Sequence, residues 1–305
     1  MYKIYYSALQ FSKMATPVIG IDLGTSYSTC AVVVDGQVEI IKDEFGQEKI
    51  PSFVAFTDKG RLVGTPAKQQ LPDNASNTVF GIKRFMGVKG QLGTKVAPDM
   101  KLPFAVSYPT NKCCLWKNSD KNSISITCLD GKLTLAPEQV SAVILSKLKR
   151  LAEKKLSHKV EAAVISVPAS FNSYQRQATV DAGKIAGFEK VHLINEPTAI
   201  AMTYCEKLCS NDQPSSVLIL DVGGGFMSLT EVSVCKSEVE IKNSVTLPFG
   251  GLDLDVKMMQ RSTEKIGQDL PMSREKRRLS CENAREELIN IDQTAISVLL
   301  TNEET

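Results

Sequence analysis

Two short segments carry the residue types that could handle a phosphorylated ligand. The first, Ile19–Cys30, reads IGIDLGTSYSTC, and the second, Val217–Val232, reads VLILDVGGGFMSLTEV. Each is an apolar, β-branched run that closes on an aspartate, turns through glycine and small residues, and returns in a second apolar run. That pattern predicts a β-hairpin with a tight bend. A bend without Cβ bulk lets backbone N–H groups approach phosphate oxygens, and the aspartate before it can hold a hydrated divalent cation. Asp22 and Asp221 are the acids so placed. One such hairpin alone is equally an ordinary meander turn. Two of them, far apart in the chain, point to a duplicated unit closing on one nucleotide from two sides.

The elements that must position these bends follow from periodicity. Alternation over Val18–Val34 and Gln37–Lys42 predicts paired strands with Asp35-Gly36 at their turn. Residues 50–130, rich in Gly and Pro turns, read as a smaller inserted subdomain, within which Asn74–Met86 starts with cap-like residues and predicts a helix. Pro137 opens a long amphipathic helix with Val140, Ile144, Leu148 and Leu151 on one face. A buried strand over Val160–Val167 follows, then a helix over Ser173–Ile185 ended by Gly187, a strand over Val191–Ile194, and a helix from Pro197. This is an α/β pattern. Cys209–Ser216 is the strongest linker signal, and after it the hairpin theme restarts over Val217–Val234 and Ser237–Pro248. The expected organisation is a leader or disordered extension over 1–16, a first lobe over 17–212 and a second lobe from 213 to 305, with the boundary near 213.

Composition excludes some classes. The 305 residues are 43% hydrophobic and 23% charged with a net charge of +2, an ordinary globular balance that marks neither a nucleic-acid binder nor a membrane-surface protein. No stretch approaches the roughly 20 apolar residues of a membrane helix. The basic run Arg274–Arg278 reads as a solvated helix face. Eight cysteines stand at irregular spacings, of which only Cys205 and Cys209 have a metal-like interval, and the chain has two histidines; buried free thiols are expected. The leader MYKIYYSALQFSK fits a secretory signal poorly and a disordered extension better, and MATPVIGIDLG from Met14 could itself be a start.

IDLGTSYS and DVGGG resemble the first and second phosphate motifs of the heat shock protein 70 family. NTVFGIKRFMG (Asn77–Gly87), AVISVPASFNSYQRQAT (Ala163–Thr179) and INEPTAIAMTY (Ile194–Tyr204) are similar to three further blocks in family order. Within the family, FTDKGRLVG, AVISVPASF and the ending TAISVLLTNEE resemble the microsomal branch that has an ATPase core without a peptide-binding domain. The resemblance implies an actin-like (ribonuclease H-like) two-lobed ATPase fold, each lobe giving one phosphate hairpin to a central cleft. It also implies that the second lobe is incomplete at Thr305, without the later strands, the glycine loop beneath adenosine and the peptide-holding domain.

For the site, the resemblance implies ATP or ADP with Mg2+. Asp22 would order the magnesium water shell, and Gly24, Thr25, Ser26 and Tyr27 would wrap the phosphates. Lys83 matches the catalytic lysine, though without the family Lys83 and Arg84 are simply an exposed basic pair on a helix. A cation in the cleft would stabilise charge on the transferring phosphoryl group. Glu196, at a strand end, would sense the metal and link to Pro168 and Arg176, which relay lobe closure, while Asp221 would order the metal water and the attacking water. Gly223, Gly224 and Gly225 form the second phosphate loop, Gly250 and Gly251 the cleft floor, and Glu282 and Arg285 the adenosine contact.

Departures stand beside these matches. The second loop continues into Phe226, Met227 and Ser228 where the family has a Thr, an aromatic and an Asp, and Leu252 replaces an acid. Glu286 and Ile289 stand where the family has an adenine-stacking Arg and a ribose-binding Ser. Phosphate binding is therefore expected to be better preserved than adenine binding or hydrolysis. The leading expectation is an ATP-binding, chaperone-type ATPase module with weakened hydrolysis, cytoplasmic, or in the endoplasmic reticulum lumen if the leader is a signal. Its partners would be co-chaperones and nucleotide-exchange factors, with unfolded clients reached only through another chain. The alternatives are a non-catalytic interaction module or truncated isoform, and a sugar or glycerol kinase of the same superfamily, against which the VPASFNSYQRQAT block argues.

Overall fold

A computed structural model describes residues 4–5, 17–88, 100–107, 124–208, 215–235, 238–266, 273–290 and 294. The N-terminal part is built on a six-stranded sheet. Strands β1 (Val18–Leu23), β2 (Tyr27–Val34) and β3 (Gln37–Ile40) run as an antiparallel meander, with Asp35 and Gly36 in left-handed conformation at the second turn. β4 (Ala162–Val167) lies parallel to β1, and β5 (Lys190–Asn195) parallel to β4, giving the order β5-β4-β1-β2-β3, with Ile50–Pro51 added beside β2. Parallel neighbours need crossovers, and helices supply them. α2 (Pro137–Leu156) precedes β4, and α3 (Ser173–Ile185) joins β4 to β5. On α2 the apolar face Val140, Ile144 and Leu148 is fully buried, with Leu151 partly so. Asn172 caps α3 by accepting from the Gln175 N–H at 3.0 Å.

Two three-stranded sheets follow, one of Val54–Thr57, Gly60–Val63 and Thr78–Val79 and one of Ala105–Ser107, Ser125–Cys128 and Leu133–Leu135, the last strand lying beyond the 50–130 bounds expected for an insertion. The first also carries the short helix α1 (Thr65–Gln69). The helix expected over Asn74–Met86 does not form. Ala75–Asn77 and Ile82–Phe85 are short 3₁₀ turns on either side of the strand Thr78–Val79. Thr78 and Val79 are β-branched and pair in the sheet, and Gly81 at φ 66° breaks any continuing helix.

The second half repeats the hairpin. β6 (Ser215–Val222), β7 (Met227–Cys235) and β8 (Glu238–Leu247) form an antiparallel sheet, with Ile4–Tyr5 beside β8. Ser215 and Ser216, expected in a linker, belong to β6; the rest of that linker, 209–214, and the Cys113–Lys121 stretch lie outside the described residues. Of the expected leader or disordered extension over 1–16, only Ile4–Tyr5 is described, and it is a strand paired with β8 rather than disordered. One face of this sheet packs Val217, Ile219, Val232 and Val234 against Ala201 and Met202 of α4 (Glu196–Leu208). On the sheet, Leu218, Leu220, Val222, Leu229, Val245 and Leu247 are exposed. Helices α5 (Gly251–Ile266) and α6 (Arg274–Glu287) pack together beyond β8.

The basic run at the start of α6 is only in part the solvated face that its charge pattern implied: Arg274 and Lys276 are exposed, but Glu275 and Arg278 are buried. Arg278 is 2% exposed, pairs with Glu275 at 3.1 Å, and donates to the Lys101 carbonyl at 2.7 Å. Backbone carbonyls and one carboxylate take up the guanidinium donors, which lets the charge be buried. Among the described cysteines, Cys30, Cys128 and Cys281 are buried free thiols whose pKa values burial pushes up to about 12, 11 and 11.

Candidate functional site

The two hairpins present their acids in one register. Asp22 pairs with Thr29 across β1 and β2, and Asp221 pairs with Ser228 across β6 and β7. The Leu23–Ser28 and Val222–Met227 pairs each enclose a four-residue bend, Gly24-Thr25-Ser26-Tyr27 and Gly223-Gly224-Gly225-Phe226. The bends meet. A Cβ on Gly224 would stand 2.1 Å from Ser26 Oγ, and one on Gly225 would stand 2.5 Å from Thr25 Oγ1. Only glycine permits that approach, because any side chain would collide with the opposite bend. Gly24 and Gly223 anchor their bends: the Gly24 carbonyl accepts from Ser52 Oγ at 2.9 Å, and the Gly223 N–H donates to the Phe226 carbonyl at 2.9 Å. Gly250 and Gly251 lie beneath the second bend, where the Gly251 N–H donates to the Gly223 carbonyl at 3.0 Å.

Charge concentrates where the bends meet. Lys83, 5% exposed and held by the 3₁₀ turn, contacts Glu196 Oε1 at 2.6 Å. Burial holds the Glu196 carboxyl above the usual carboxylate range; Lys83 opposes this, and Asp22 and Asp221 reinforce it. Asp221 is raised first by burial and then by the Asp22 charge, with Lys83 again opposing. Three carboxylates therefore feel one another around a single ammonium group. Ser166 Oγ, at the end of β4, donates to Asp22 Oδ1 at 2.9 Å and fixes its orientation. Arg176 binds the Asn195 side chain at 2.7 Å and the Phe171 carbonyl at 2.9 Å, so it pins the residue before Glu196 to the loop after Pro168.

The residues expected to hold adenosine lie at one edge of this arrangement. Tyr27 Oη donates to Glu282 Oε1 at 3.0 Å, and Lys68 Nζ reaches both the Tyr27 hydroxyl and Glu282 at 2.8 Å. Burial, then Glu282 and Glu286, hold the Tyr27 hydroxyl well above the ordinary tyrosine range. Arg285 binds Asp255, with Nε at 2.6 Å and Nη2 at 3.3 Å from its carboxylate oxygens. Its guanidinium is thus committed to a neighbouring helix.

Several participants escaped sequence reasoning. Arg84, read as one of an exposed basic pair, is 7% exposed and crosses to the second lobe. It donates to the Gly225 carbonyl at 2.7 and 3.0 Å and to both carboxylate oxygens of Asp253. Lys68 and Ser166 also went unnoticed. A lone serine inside the apolar strand AAVISV was the available signal for Ser166; nothing local marks Lys68.

The sequence matches the family described as Hsp70 protein over residues 18–302. This chain belongs to the Hsp70 family. Its fold is therefore the actin-like fold of the Hsp70 ATPase domain, a mixed α/β architecture with several sheets and six helices among the described residues. Among its relatives are two ribosome-associated molecular chaperones, one of Zygosaccharomyces rouxii, 38% identical over 288 residues, and one of Saccharomyces cerevisiae, 39% identical over 290 residues. Each alignment covers 92% of this chain and 45% of the relative. A heat shock 70 kDa protein of Neurospora crassa is 39% identical over 292 residues, 92% of this chain and 43% of that protein. The chain thus spans less than half the length of these Hsp70 relatives.

Hsp70 ATPase domains in general bind nucleotide and Mg2+. The site of this Hsp70 chain is chemically suited to that pair. The charges of Asp22 and Asp221 disfavour ionisation of Glu196, and that of Asp22 disfavours ionisation of Asp221, with Lys83 opposing both; a divalent cation would relieve this crowding. Among the described residues no three His, Cys, Asp or Glu side chains converge closely enough to ligate a metal directly, so a cation here would be held through its water shell.

Proposed function

We propose that this chain binds a magnesium nucleotide, ATP or ADP, between its two bends, and acts as a chaperone-type ATPase module with weak turnover. The observation that carries this reading is the mutual electrostatic influence of Asp22, Asp221 and Glu196 around Lys83 at the meeting point of two glycine bends. The backbone amides of Gly24–Tyr27, Gly224 and Gly225 would receive the phosphates, with the Gly223 N–H closing the second bend on the Phe226 carbonyl; Asp22 and Asp221 would hold the hydrated cation, and Glu196 would orient Lys83. The cation, when bound, supplies charge neutralisation for phosphoryl transfer. Lys83 adds a fixed positive charge for the oxygens on which negative charge develops.

Weak turnover follows from the second bend. The Phe226 ring packs against Phe171, with centroids 5.8 Å apart, and it carries no hydroxyl for a terminal phosphate. Ser228 brings a buried hydroxyl without a hydrogen-bond partner where a carboxylate would add to the cation shell. Glu282 and Arg285 are engaged with Tyr27 and Asp255, which supports a loose grip on the base. Partners of the co-chaperone and nucleotide-exchange classes, and a cytoplasmic setting, accompany this reading. Among the described residues no helix is long and apolar enough to cross a membrane.

A second reading, a non-catalytic interaction module, draws on the exposed apolar residues of the second sheet, Leu218, Leu220, Val222, Leu229, Val245 and Leu247. Lys83→Met separates the two. In single-turnover assays with Mg-ATP, the ATPase reading expects phosphate release to fall at least about tenfold. Release that is undetectable in both proteins favours the interaction module.

A further inference from the structure

Each bend sends one aromatic side chain across the cleft. Tyr27 and Phe226 hold the same place, last in a four-residue bend and directly before the returning strand's paired residue. Tyr27, in the first lobe, donates to Glu282 on α6 of the second at 3.0 Å. Phe226, in the second lobe, packs edge-on against Phe171 of the first, with an interplanar angle of 80°. Phe171 is a firm platform. It is buried, its N–H donates to the Pro168 carbonyl at 3.0 Å, and its carbonyl accepts from Arg176 Nε at 2.9 Å. Beside it, Arg84 grips the Gly225 carbonyl from the same lobe.

We propose that Phe226 is a clasp that seats the second bend on the first lobe whether or not a nucleotide is present, so that cleft closure in this chain is set by its own side chains. Edge-to-face rings attract beyond the area that they bury, and this contact is made between the chain's own residues, with no ligand in it. The bare backbone of Gly224 and Gly225 lets the second bend approach Ser26 and Thr25 closely beside this contact. The comparison between nucleotide states rests on the nucleotide reading above; the clasp itself does not.

The test is amide hydrogen exchange of residues 223–228 in the full chain, without nucleotide, with Mg-ADP and with Mg-ATP. Wild-type protection should agree within about twofold across the three states, and Phe226→Thr should lower nucleotide-free protection by about tenfold. Phe171→Leu, made on the opposite lobe, should give a loss in the same amides, with exchange in β4 and α2 unchanged as a check on folding. Phe226→Leu, which keeps apolar bulk, should lose less than Phe226→Thr. Wild-type protection that rises tenfold or more with Mg-ATP, or nucleotide-free protection that Phe226→Thr leaves unchanged, overturns the proposal. If the wild-type chain binds no nucleotide, the nucleotide reading fails, while the nucleotide-free comparison still decides the clasp.

Discussion

Arg84 of the first lobe and Asp253 of the second are joined across the cleft floor by paired hydrogen bonds, one of them 2.9 Å long. The same guanidinium holds the Gly225 carbonyl, and Asp253 accepts from the Gly250 N–H at 2.7 Å. One planar donor fork therefore ties the second bend, the glycine pair beneath it and the start of α5 to the turn that carries Lys83. Lys83 and Arg84 are chain neighbours with separate tasks, one among the cleft carboxylates and the other bridging the lobes.

Replacing Arg84 should show how much of the molecule depends on that bridge. Arg84→Met leaves the Asp253 charge and the Gly225 carbonyl without partners, and breaking such a buried pair costs about 3 kcal/mol. Arg84→Lys keeps the charge but loses the planar fork and should cost about half as much. Urea unfolding of the three proteins gives both values. Equal stability of Arg84→Met and wild type would contradict the bridge.

Removing the Asp221 charge should stabilise the chain when no metal is bound. Its carboxyl is raised by burial and by Asp22, so the folded state holds its proton more tightly than the unfolded state does. The sign follows: this contribution to stability is complete below the ordinary aspartate range and is lost as pH rises through the raised value. Asp221→Asn should therefore raise the thermal midpoint near neutral pH by about 2 °C without metal and flatten its pH dependence. It should also reduce the stabilisation that Mg-ADP gives. A lower midpoint in metal-free buffer would contradict the electrostatic account.

Tyr27 offers an optical check on the cleft edge. Burial together with Glu282 and Glu286 favours the neutral phenol. Stability linked to this group is present below the ordinary tyrosine range and is lost as pH rises through the raised value. In an alkaline absorbance titration, Tyr27→Phe should remove the last phenolate phase of the wild-type curve and cost about 1 kcal/mol of stability at neutral pH. Loss of an early phase would place Tyr27 in water.

Much of the fold is legible from local pattern. Both hairpins, the face Val140, Ile144 and Leu148 of α2, and the bounds of α3 follow from period and caps, because these elements satisfy their own backbone and bury one face. The failures have one cause, which is that long-range partners are invisible locally. Asn74–Met86 has a helical start, yet Thr78 and Val79 are claimed by the strand Val54–Thr57. Arg84 and Arg278 look like solvent charges until carbonyls from distant segments fill their donor sets. Ser166 matters only because β4 lies beside β1, which sets Ser166 against Asp22.

Within the site, residue types are readable from sequence and their commitments are not. Glu282 and Arg285 match an adenosine contact by pattern, but their strongest contacts are Tyr27, Lys68 and Asp255. Phe226 stands where the resemblance has a Thr, and nothing local in the sequence shows that its ring lies against Phe171 on the opposite lobe.

The central claim is that Asp22 and Asp221 face one magnesium-bound nucleotide from two hairpins, and calorimetric titration of the chain with ADP and ATP, with and without Mg2+, tests it most directly. The account predicts magnesium-dependent binding of both nucleotides that is lost when Asp22 and Asp221 are both changed to Asn. Binding that ignores magnesium and survives the double substitution, or no heat at millimolar nucleotide, would contradict it.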